Sequence, residues 1–309
     1  MATTPPTTPS EYSITNTISG TFNVGNGQTY TTLTDAGGFF ETINNSVVTG
    51  NITVNITSDL VESGSNALNQ FVEEPSGSNF TITFQPDAAV MRTISGSTSG
   101  GLIKLNGADR VTFDGRFSGN GNYLTIENTS TSTSTAAIHL ISLGPGEGSQ
   151  DNTIRNCTVK AGSFTVTSTF GIHIGGTSVS TAGTGVDNDN NSILENVISR
   201  CSYGVYARGL PNASDQLTGL VISGNKIGSD IPSDYVVGYG INLQSTDGVM
   251  VTSNEIYNMY EDQAKYGIWF GSYTTNAMIS KNSIHSFGQF GTGTTTYSIG
   301  MYFSSSTGS

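Results

Sequence analysis

Aromatic and polar residues recur at one position of a repeated strand motif. The segments "FGIHI", "YGVYA", "YGINL", "YGIWF" and "IGMYF" each place a glycine before alternating residues. Successive side chains of a β-strand point to opposite faces. The residues one and three positions after each glycine are therefore predicted to point inward, and the residue between them outward. The predicted outward column is His173, Tyr206, Asn242, Trp269 and Tyr302, with His139 at its start and Arg208 and Gln244 at the next outward position.

This column has the chemistry of a sugar-binding face. Sugar rings have apolar faces that pack on aromatic rings, and their hydroxyls suit amide, imidazole and guanidinium groups. The chain's single tryptophan, Trp269, belongs to the column. The alternative is that the rings only stack on one another or lie under long loops. The sequence thus predicts glycan contact and leaves simple ring packing open.

Catalytic carboxylates are not part of this column. A glycoside hydrolase needs carboxylates roughly 5 to 10 Å apart across one groove. Candidates come only from the loops "GVDNDNN", "GSDIPSD" and "YEDQAKYG". A polysaccharide lyase would need a base and a cation, and the available cations are Arg208 and Lys265. The sequence therefore favours binding over catalysis.

One of these loops contains a candidate calcium site. Asp187, Asp189 and Asn191 occupy alternate positions, as the oxygen ligands of calcium loops do. The segment lacks the glycine and the distal glutamate of an EF-hand loop. A solvated acidic loop is the competing interpretation, and calcium is the one cofactor that the sequence indicates.

An asparagine motif alternates with the glycine motif along the chain. Its asparagines are separated by 40, 29, 29 and 28 residues: Asn156, Asn196, Asn225, Asn254 and Asn282. Two interleaved motifs in fixed order indicate a repeat architecture. A coil of this length cannot bury its apolar side alone, but stacked coils can, with equivalent strands paired in parallel ~4.8 Å apart. Asparagine at a corner is predicted to tolerate left-handed backbone and to hydrogen-bond its equivalents in neighbouring coils.

The series "SGNKI", "TSNEI" and "SKNSI", with the glycine strands, resembles the pectate-lyase-like superfamily. The resemblance implies an all-β fold, a single-stranded right-handed parallel β-helix, whose substrate groove in the related enzymes follows one parallel sheet. It leaves activity open, because that superfamily includes lyases, hydrolases, epimerases, adhesins and phage tailspikes. The segment from Phe22 to Leu60 also resembles the opening of large exported β-helix proteins of Bacteroidetes-type bacteria.

The two ends of the solenoid are predicted to differ. Apolar residues of "TLTDAGGFFETINN" follow helical spacing, and a short helix there would cover the N-terminal end of the stack. Met301 and Phe303 would leave the last coil open, which indicates a fragment of a longer solenoid or end-to-end stacking. The predicted organisation is a Thr/Pro-rich tail over residues 1–20, a cap with the first strands over 21–78, and the β-helix over 79–309.

Composition excludes several function classes. Charged residues are 11% of the chain and the net charge is −12, which argues against nucleic-acid and anionic-membrane partners. No segment is long enough to span a membrane, and no signal peptide is visible. Cys157 and Cys201 are interpreted as buried thiols rather than a disulfide.

The function that these observations favour is an extracellular or cell-surface β-helix module of adhesin type. Its partner would be a polysaccharide, a surface glycan or another protein chain. Two alternatives remain open at this point. One is a polysaccharide lyase or glycoside hydrolase, and the other is a structural filament subunit that stacks end to end.

Overall fold

A computed structural model describes residues 16–162, 166–212, 214–260, 264–288 and 297–304. Within these residues the chain winds as a parallel β-solenoid of about eight turns, as predicted. Each turn contributes one strand to each of three parallel sheets, and the apolar core runs between the sheets along the axis. Residues 1–15 of the predicted tail lie outside the described residues. Glu261 and Asp262 of one acidic loop lie outside them as well.

The first half of the solenoid begins with a long strand and one helix. Its elements are β1 (Asn16–Val24), α1 (Phe39–Asn44), β2 (Ser46–Ile56), β3 (Leu60–Val61), β4 (Leu68–Asn69), β5 (Val72–Glu73), β6 (Ile82–Pro86), β7 (Arg92–Gly96), β8 (Gly100–Asn106), β9 (Val111–Asp114), β10 (Leu124–Asn128), β11 (Thr135–Ile141), β12 (Thr153–Arg155), β13 (Cys157–Ala161) and β14 (Thr169–Gly175).

The second half continues the same three-strand turns. Its elements are β15 (Ser192–Leu194), β16 (Val197–Ser199), β17 (Cys201–Arg208), β18 (Leu217–Thr218), β19 (Val221–Ser223), β20 (Lys226–Ile227), a 3-10 turn (Pro232–Asp234), β21 (Val236–Gln244), β22 (Thr246–Asp247), β23 (Met250–Thr252), β24 (Glu255–Tyr257), β25 (Lys265–Phe270), β26 (Met278–Ser280), β27 (Ser283–His285) and β28 (Ser298–Phe303).

Stacking places equivalent residues of successive turns side by side. In the first sheet Ile193 pairs with Ile222 and Ile222 with Val251, and all three are buried. The third sheet includes β8, β11, β14, β17, β21, β25 and β28 in that order, and the last five of these strands contain the glycine motifs. This sheet therefore positions the predicted glycan-binding column.

The N-terminal helix is shorter than the sequence pattern. It begins at Phe39, after a glycine pair whose first member, Gly37, has a φ of 75°. Glycine disfavours helix, so the preceding residues form turns instead. Phe39 and Phe40 are fully buried, and the Phe40 ring lies 5.6 Å from that of Phe84 at the end of the core. The helix thus covers the N-terminal end of the core, as predicted.

A buried carboxylate holds the segment before this helix. Glu62 accepts hydrogen bonds from the backbone N–H groups of Leu33 and Thr34, each at 2.7 Å, and from the Thr34 hydroxyl at 2.6 Å. Burial raises the pKa of Glu62, and these three donors act in the opposite direction. The segment before the capping helix is therefore attached to the first turn by the hydrogen bonds of Glu62, which lie within the apolar N-terminal end of the core.

The asparagine ladder is confirmed from Asn196 onward. Its side-chain amides donate to the next side-chain oxygen at 3.0 Å from Asn196 to Asn225, 2.9 Å from Asn225 to Asn254 and 3.0 Å from Asn254 to Asn282. Each amide also donates to a backbone carbonyl of the preceding turn. The ladder therefore joins four turns at one corner of the solenoid.

Two details of the asparagine prediction are wrong. Asn156 is not in the ladder, because Cys157 occupies the equivalent position and donates its N–H to Asn196 at 2.9 Å. The left-handed backbone also belongs to the residue before each ladder asparagine. Those residues are Glu195, Gly224, Ser253 and Lys281, all with positive φ, and Asn156 shares their conformation. The corner turns one residue earlier, which leaves the asparagine itself aimed along the axis.

The cysteine prediction is confirmed. Cys157 and Cys201 are free and buried. Burial raises the pKa of Cys201 to about 12 and raises that of Cys157 as well, so both thiols stay protonated and unreactive at neutral pH. Among the described residues, no helix has the length and apolar character needed to cross a membrane.

Candidate functional site

The predicted outward column forms one continuous row across the third sheet. His139 pairs with His173, and His173 with Tyr206. The row continues through Asn242, Trp269 and Tyr302 in adjacent strands. Parallel pairing in register places these side chains on neighbouring turns of the solenoid.

Exposure divides this column into two parts. His173 and Tyr206 are fully buried, and Asn242 is nearly so. Trp269 is half-buried, and Tyr302 is 37% exposed. Arg208 and Gln244, at the second outward position, are half-buried. Only the C-terminal part of the column is therefore open to a ligand in this conformation.

The segment that covers the N-terminal part is named the strap, residues 176–185. His173 Nε2 lies 3.0 Å from the Ser180 carbonyl, and the Tyr206 hydroxyl donates to the Thr181 carbonyl at 2.7 Å. Arg208 donates to the same Thr181 carbonyl. The strap thus lies directly on three of the predicted binding residues.

A second aromatic column runs beside the first and was missed by the sequence reasoning. Tyr203, Tyr239 and Tyr266, each just before a motif glycine, stack with ring centroids 4.6 and 5.1 Å apart. Phe170 extends the stack, 4.8 Å from Tyr203. The recurring "YG" pair was the available signal, but strict alternation would place these tyrosines inside.

The motif glycines explain why alternation fails there. A Cβ on Gly204 would lie 2.7 Å from Ile227 Cγ2 and 2.5 Å from the Gly240 carbonyl oxygen. The glycine therefore faces the core and is followed by an inward Val205. With two consecutive residues inward, Tyr203 and Tyr206 emerge on the same outer face, with ring centroids 5.7 Å apart.

The name aromatic strip is given to five residues of the two columns: Tyr203, Tyr239, Tyr266, Trp269 and Tyr302. Tyr266 is buried, and the other four are at least partly exposed. The tyrosine stack hides its ring faces and presents ring edges. The Trp269 ring is tilted by 59° to Tyr239 and by 55° to Tyr302. A tilted ring leaves part of its face uncovered by its neighbours. Trp269 and Tyr302 are therefore the members of the strip best placed for stacking on a ligand.

A cavity of about 280 Å³ lies next to the strip. Tyr203 and Tyr239 form one side of it, and hydroxyl-bearing residues form the rest together with small ones: Thr167, Ser168, Ser202, Gly238 and Ala264. Burial raises the pKa of Tyr239, so its phenol stays protonated at neutral pH. The cavity offers hydroxyl donors and acceptors beside aromatic surface.

The three predicted calcium ligands are used within the protein. Asp187 accepts a hydrogen bond from the Gly146 N–H at 2.6 Å, and Asp189 accepts one from the Thr218 N–H at 2.6 Å. The Asn191 side chain is buried in a second asparagine pair, in which its oxygen accepts the Asn152 N–H at 3.0 Å. No cluster of three His, Cys, Asp or Glu side chains suited to a metal occurs in the described part of the chain. Calcium binding stays a prediction.

The other predicted charged groups are dispersed. Asp234 forms a 2.7 Å salt bridge with Lys160, two turns away. Lys265 is 1% exposed, so its ammonium is not on the outer surface. Glu261 and Asp262 lie outside the described residues. Among the predicted carboxylates in the described part of the chain, Asp230 lines a cleft.

That cleft lies on the second sheet and was also missed. It encloses about 380 Å³ and is lined by Lys226, Asp230, Glu255, Tyr257, Asn258, His285 and Ser286. Glu255 lies 3.3 Å from His285 Nε2 and 3.6 Å from Lys226 Nζ, while His285 Nδ1 lies 2.9 Å from the Ser286 hydroxyl. The residues come from three successive turns, so their proximity appears only once the register is known. The name polar cleft is used for this set.

No family model and no curated protein matches the sequence. Among solved structures, the chain is similar to the tailspike protein of E. coli bacteriophage HK620 in complex with pentasaccharide. That similarity has 16% identity, a TM-score of 0.39, and covers 91% of this chain and 58% of that chain.

The chain is also similar to alginate lyase from Paenibacillus sp. str. FPU-7. Here the identity is 14% and the TM-score 0.38, over 78% of this chain and 92% of that chain. The chain spans about 58% of the length of the tailspike. Neither similarity is strong enough to transfer a function, so the site must be interpreted from its own geometry.

Proposed function

We propose that this β-solenoid is a glycan-binding module whose ligand lies along the aromatic strip. The supporting observation is that Trp269 and Tyr302 present tilted, partly open rings in register on neighbouring turns. A ligand with repeating units along its length matches a surface that repeats along the solenoid axis. The adjacent cavity supplies phenol and hydroxyl groups for hydrogen bonds to sugar hydroxyls.

Binding without catalysis fits the chemistry of this face. Among the described residues, those that line the cavity include no carboxylate and no histidine. Hydrolysis of a glycosidic bond requires two carboxyl groups across the scissile bond. The net charge of −12 also repels polyuronates unless a cation intervenes. An uncharged, hydroxyl-rich glycan is therefore the favoured ligand class.

The cellular setting that we propose is extracellular or at the cell surface, in an adhesin-like role. An uncharged polar exterior and a long binding face suit attachment to a polysaccharide. Labelling of intact cells of the source organism with an antibody to this chain tests the location. Labelling that requires permeabilised cells would contradict it.

Trp269→Ala is expected to weaken glycan binding about tenfold, because an aromatic contact contributes on the order of 1 kcal/mol beyond its buried area. A glycan array identifies the ligand, and calorimetry then measures affinity for the wild type and the variant. Phe117→Ala is the matched control, since Phe117 is 37% exposed in a loop outside the strip.

Two results would count against the aromatic strip. Equal loss of affinity in both variants would place the contact elsewhere. A large fall in the melting temperature of the Trp269 variant, with unchanged affinity for the folded fraction, would show that the ring serves packing alone.

The polar cleft supports a second candidate function, a glycoside hydrolase or polysaccharide lyase. It brings two carboxylates, Asp230 and Glu255, together with His285 and Tyr257 in one depression. These groups can supply the acid and base that such reactions need. Glu255→Gln is then expected to abolish release of new reducing ends from a panel of polysaccharides, while leaving glycan affinity at the strip unchanged.

A matched control for the cleft is Glu147→Gln, which changes an exposed carboxylate in a distant loop. No reducing-end release by the wild type on any member of the panel would remove the enzymatic candidate. Release that survives the Glu255 variant would place catalysis outside the polar cleft.

End-to-end self-association is the remaining alternative. The last described turn exposes apolar side chains, among them Met278 at 57%, Met301 at 47% and Phe303 at 62%. Stacking of a second copy on this turn would bury them. Sedimentation velocity over a range of concentrations distinguishes a monomer from such an assembly.

A further inference from the structure

The strap is joined to the third sheet by a row of side chains and by one backbone hydrogen bond, from the Gly185 N–H to the Arg208 carbonyl at 3.0 Å. His139 Nε2 lies 2.9 Å from the Gly176 carbonyl, and His173 Nε2 lies 3.0 Å from the Ser180 carbonyl. Tyr206 and Arg208 both donate to the Thr181 carbonyl. In these side-chain contacts the strap provides backbone acceptors, and the sheet provides side-chain donors.

Beyond these hydrogen bonds, the strap has few apolar contacts with the sheet. Its sequence, "GTSVSTAGTG", contains no titratable side chain. Val179 is buried against Phe170 and Tyr206, whereas Thr177 and Ser178 are exposed. A cavity of about 310 Å³ lies against its ends, lined in part by Gly176, Thr177 and Thr184. Few apolar contacts and adjacent free space are typical of a segment that opens locally.

Two buried imidazoles lie at the centre of the contact. The rings of His139 and His173 are 4.7 Å apart, edge to face. His173 Nδ1 is buried without a hydrogen-bond partner. On one side Lys104 of β8 is in register with His139, and on the other side Tyr206 and Arg208 of β17 follow His173. The surroundings are rich in donors and positive charge.

We propose that the strap is an acid-released cover: protonation of His139 and His173 detaches residues 176–185 and uncovers Tyr206, which extends the aromatic strip toward the N-terminus. A neutral imidazole donates through Nε2 and keeps Nδ1 as an acceptor. A second proton at His173 Nδ1 would find no acceptor in its buried position. Two imidazolium rings at 4.7 Å would also repel each other, with Lys104 and Arg208 on either side.

The pH range of strap release is set by the lowered pKa values of the two histidines. Burial lowers the pKa of His173 to about 4, and burial together with His173 and Lys104 lowers that of His139. The covered state is therefore fully favoured above the ordinary histidine pKa of 6.5 and loses that advantage as the pH falls from 6.5 toward 4. For His173 alone, the opening equilibrium should rise roughly thirtyfold between pH 7.5 and pH 5.

Hydrogen exchange of the full chain, read by mass spectrometry at pH 7.5 and pH 5 and corrected for intrinsic rates, tests the cover directly. We expect the strap amides that donate hydrogen bonds, those of Gly183 and Gly185, to lose protection by ten- to thirtyfold at pH 5, while β21 of the same sheet keeps its protection. This measurement needs no glycan, so its outcome is independent of the proposed binding function. Equal protection of the strap at both pH values would overturn the proposal.

The histidines are tested by the double variant His139→Gln, His173→Gln. Glutamine keeps an N–H near the Nε2 position but does not titrate, so the strap should stay covered at pH 5. His285→Gln, which changes an exposed histidine, should open like the wild type. Acid opening of the double variant equal to that of the wild type would also overturn the proposal.

Val179→Cys gives a second reading in a chain that keeps both histidines. The new thiol lies under the strap, and Cys157 and Cys201 are fully buried references in the same molecule. Reaction with 4,4′-dithiodipyridine should be faster for the new thiol at pH 5 than at pH 7.5, with the two native thiols unreactive. A rate that is no faster at pH 5 would contradict acid release.

Discussion

Gly240→Ala is expected to lower the free energy of unfolding by about 3 kcal/mol. The φ of Gly240 is not in the left-handed region, so space is the reason. A Cβ there would lie 2.6 Å from the Gly267 carbonyl oxygen and 2.7 Å from Ile256 Cγ2. The carbonyl belongs to the next strand of the sheet and cannot yield without breaking the parallel pairing. Urea-induced unfolding, followed by circular dichroism, measures the loss.

Gly300→Ala is the matched control, because Gly300 is the same motif glycine in the last described strand. A Cβ at Gly300 would meet nothing within 4 Å. Its substitution should therefore change stability by less than about 0.5 kcal/mol. Similar losses in the two variants would show that the glycine serves backbone flexibility and that close packing between turns is not its role.

Asn225→Ala is expected to lower the free energy of unfolding by about 4 kcal/mol, since it removes the centre of the ladder. The Asn225 oxygen accepts both the backbone and the side-chain N–H of Asn196, each at 3.0 Å. Its amide donates to the Ile193 carbonyl at 2.8 Å and to the Asn254 oxygen at 2.9 Å. All of these groups are buried, and a buried polar group without a partner costs about 1–3 kcal/mol. Urea-induced unfolding measures this loss as well.

Asn282→Ala tests whether burial sets the size of this effect. Asn282 makes the equivalent bonds to Asn254 and to the Val251 carbonyl, but it is half-buried at the described end of the ladder. Water can replace part of its hydrogen bonding, so about half the loss is expected. A larger loss at Asn282 than at Asn225 would contradict an origin in buried unsatisfied groups.

The repeat made the solenoid and its register predictable. Intervals of 28 and 29 residues between Asn196, Asn225, Asn254 and Asn282 correspond to turns of nearly constant length. The interval of 40 residues before Asn196 led to a wrong prediction, that Asn156 belongs to the ladder. The residue in register with Asn196 is Cys157, one position later. Asn156 has the residue type of the ladder but the left-handed conformation of the residue before it, and Cys157 takes the ladder position.

The candidate site was predictable only in part. The outward column from His173 to Tyr302 follows from alternation alone, and the structure contains it. The tyrosine stack from Tyr203 to Tyr266 does not, because two consecutive inward residues at the motif glycine reverse the alternation. The polar cleft joins residues from three turns, and no local sequence pattern predicts that these residues lie close together.

By itself, the sequence determined which residues share a column, since a strand alternates with period two and a repeat stacks like on like. It also determined the ladder from Asn196 to Asn282, through the 28- and 29-residue intervals, and the presence of the capping helix, whose signal is local. Only the tertiary structure decided which part of the column is open. The strap returns across the sheet through bonds from side chains to its backbone carbonyls, and every residue offers a carbonyl. No residue type therefore marks the place where the chain folds back over its own surface.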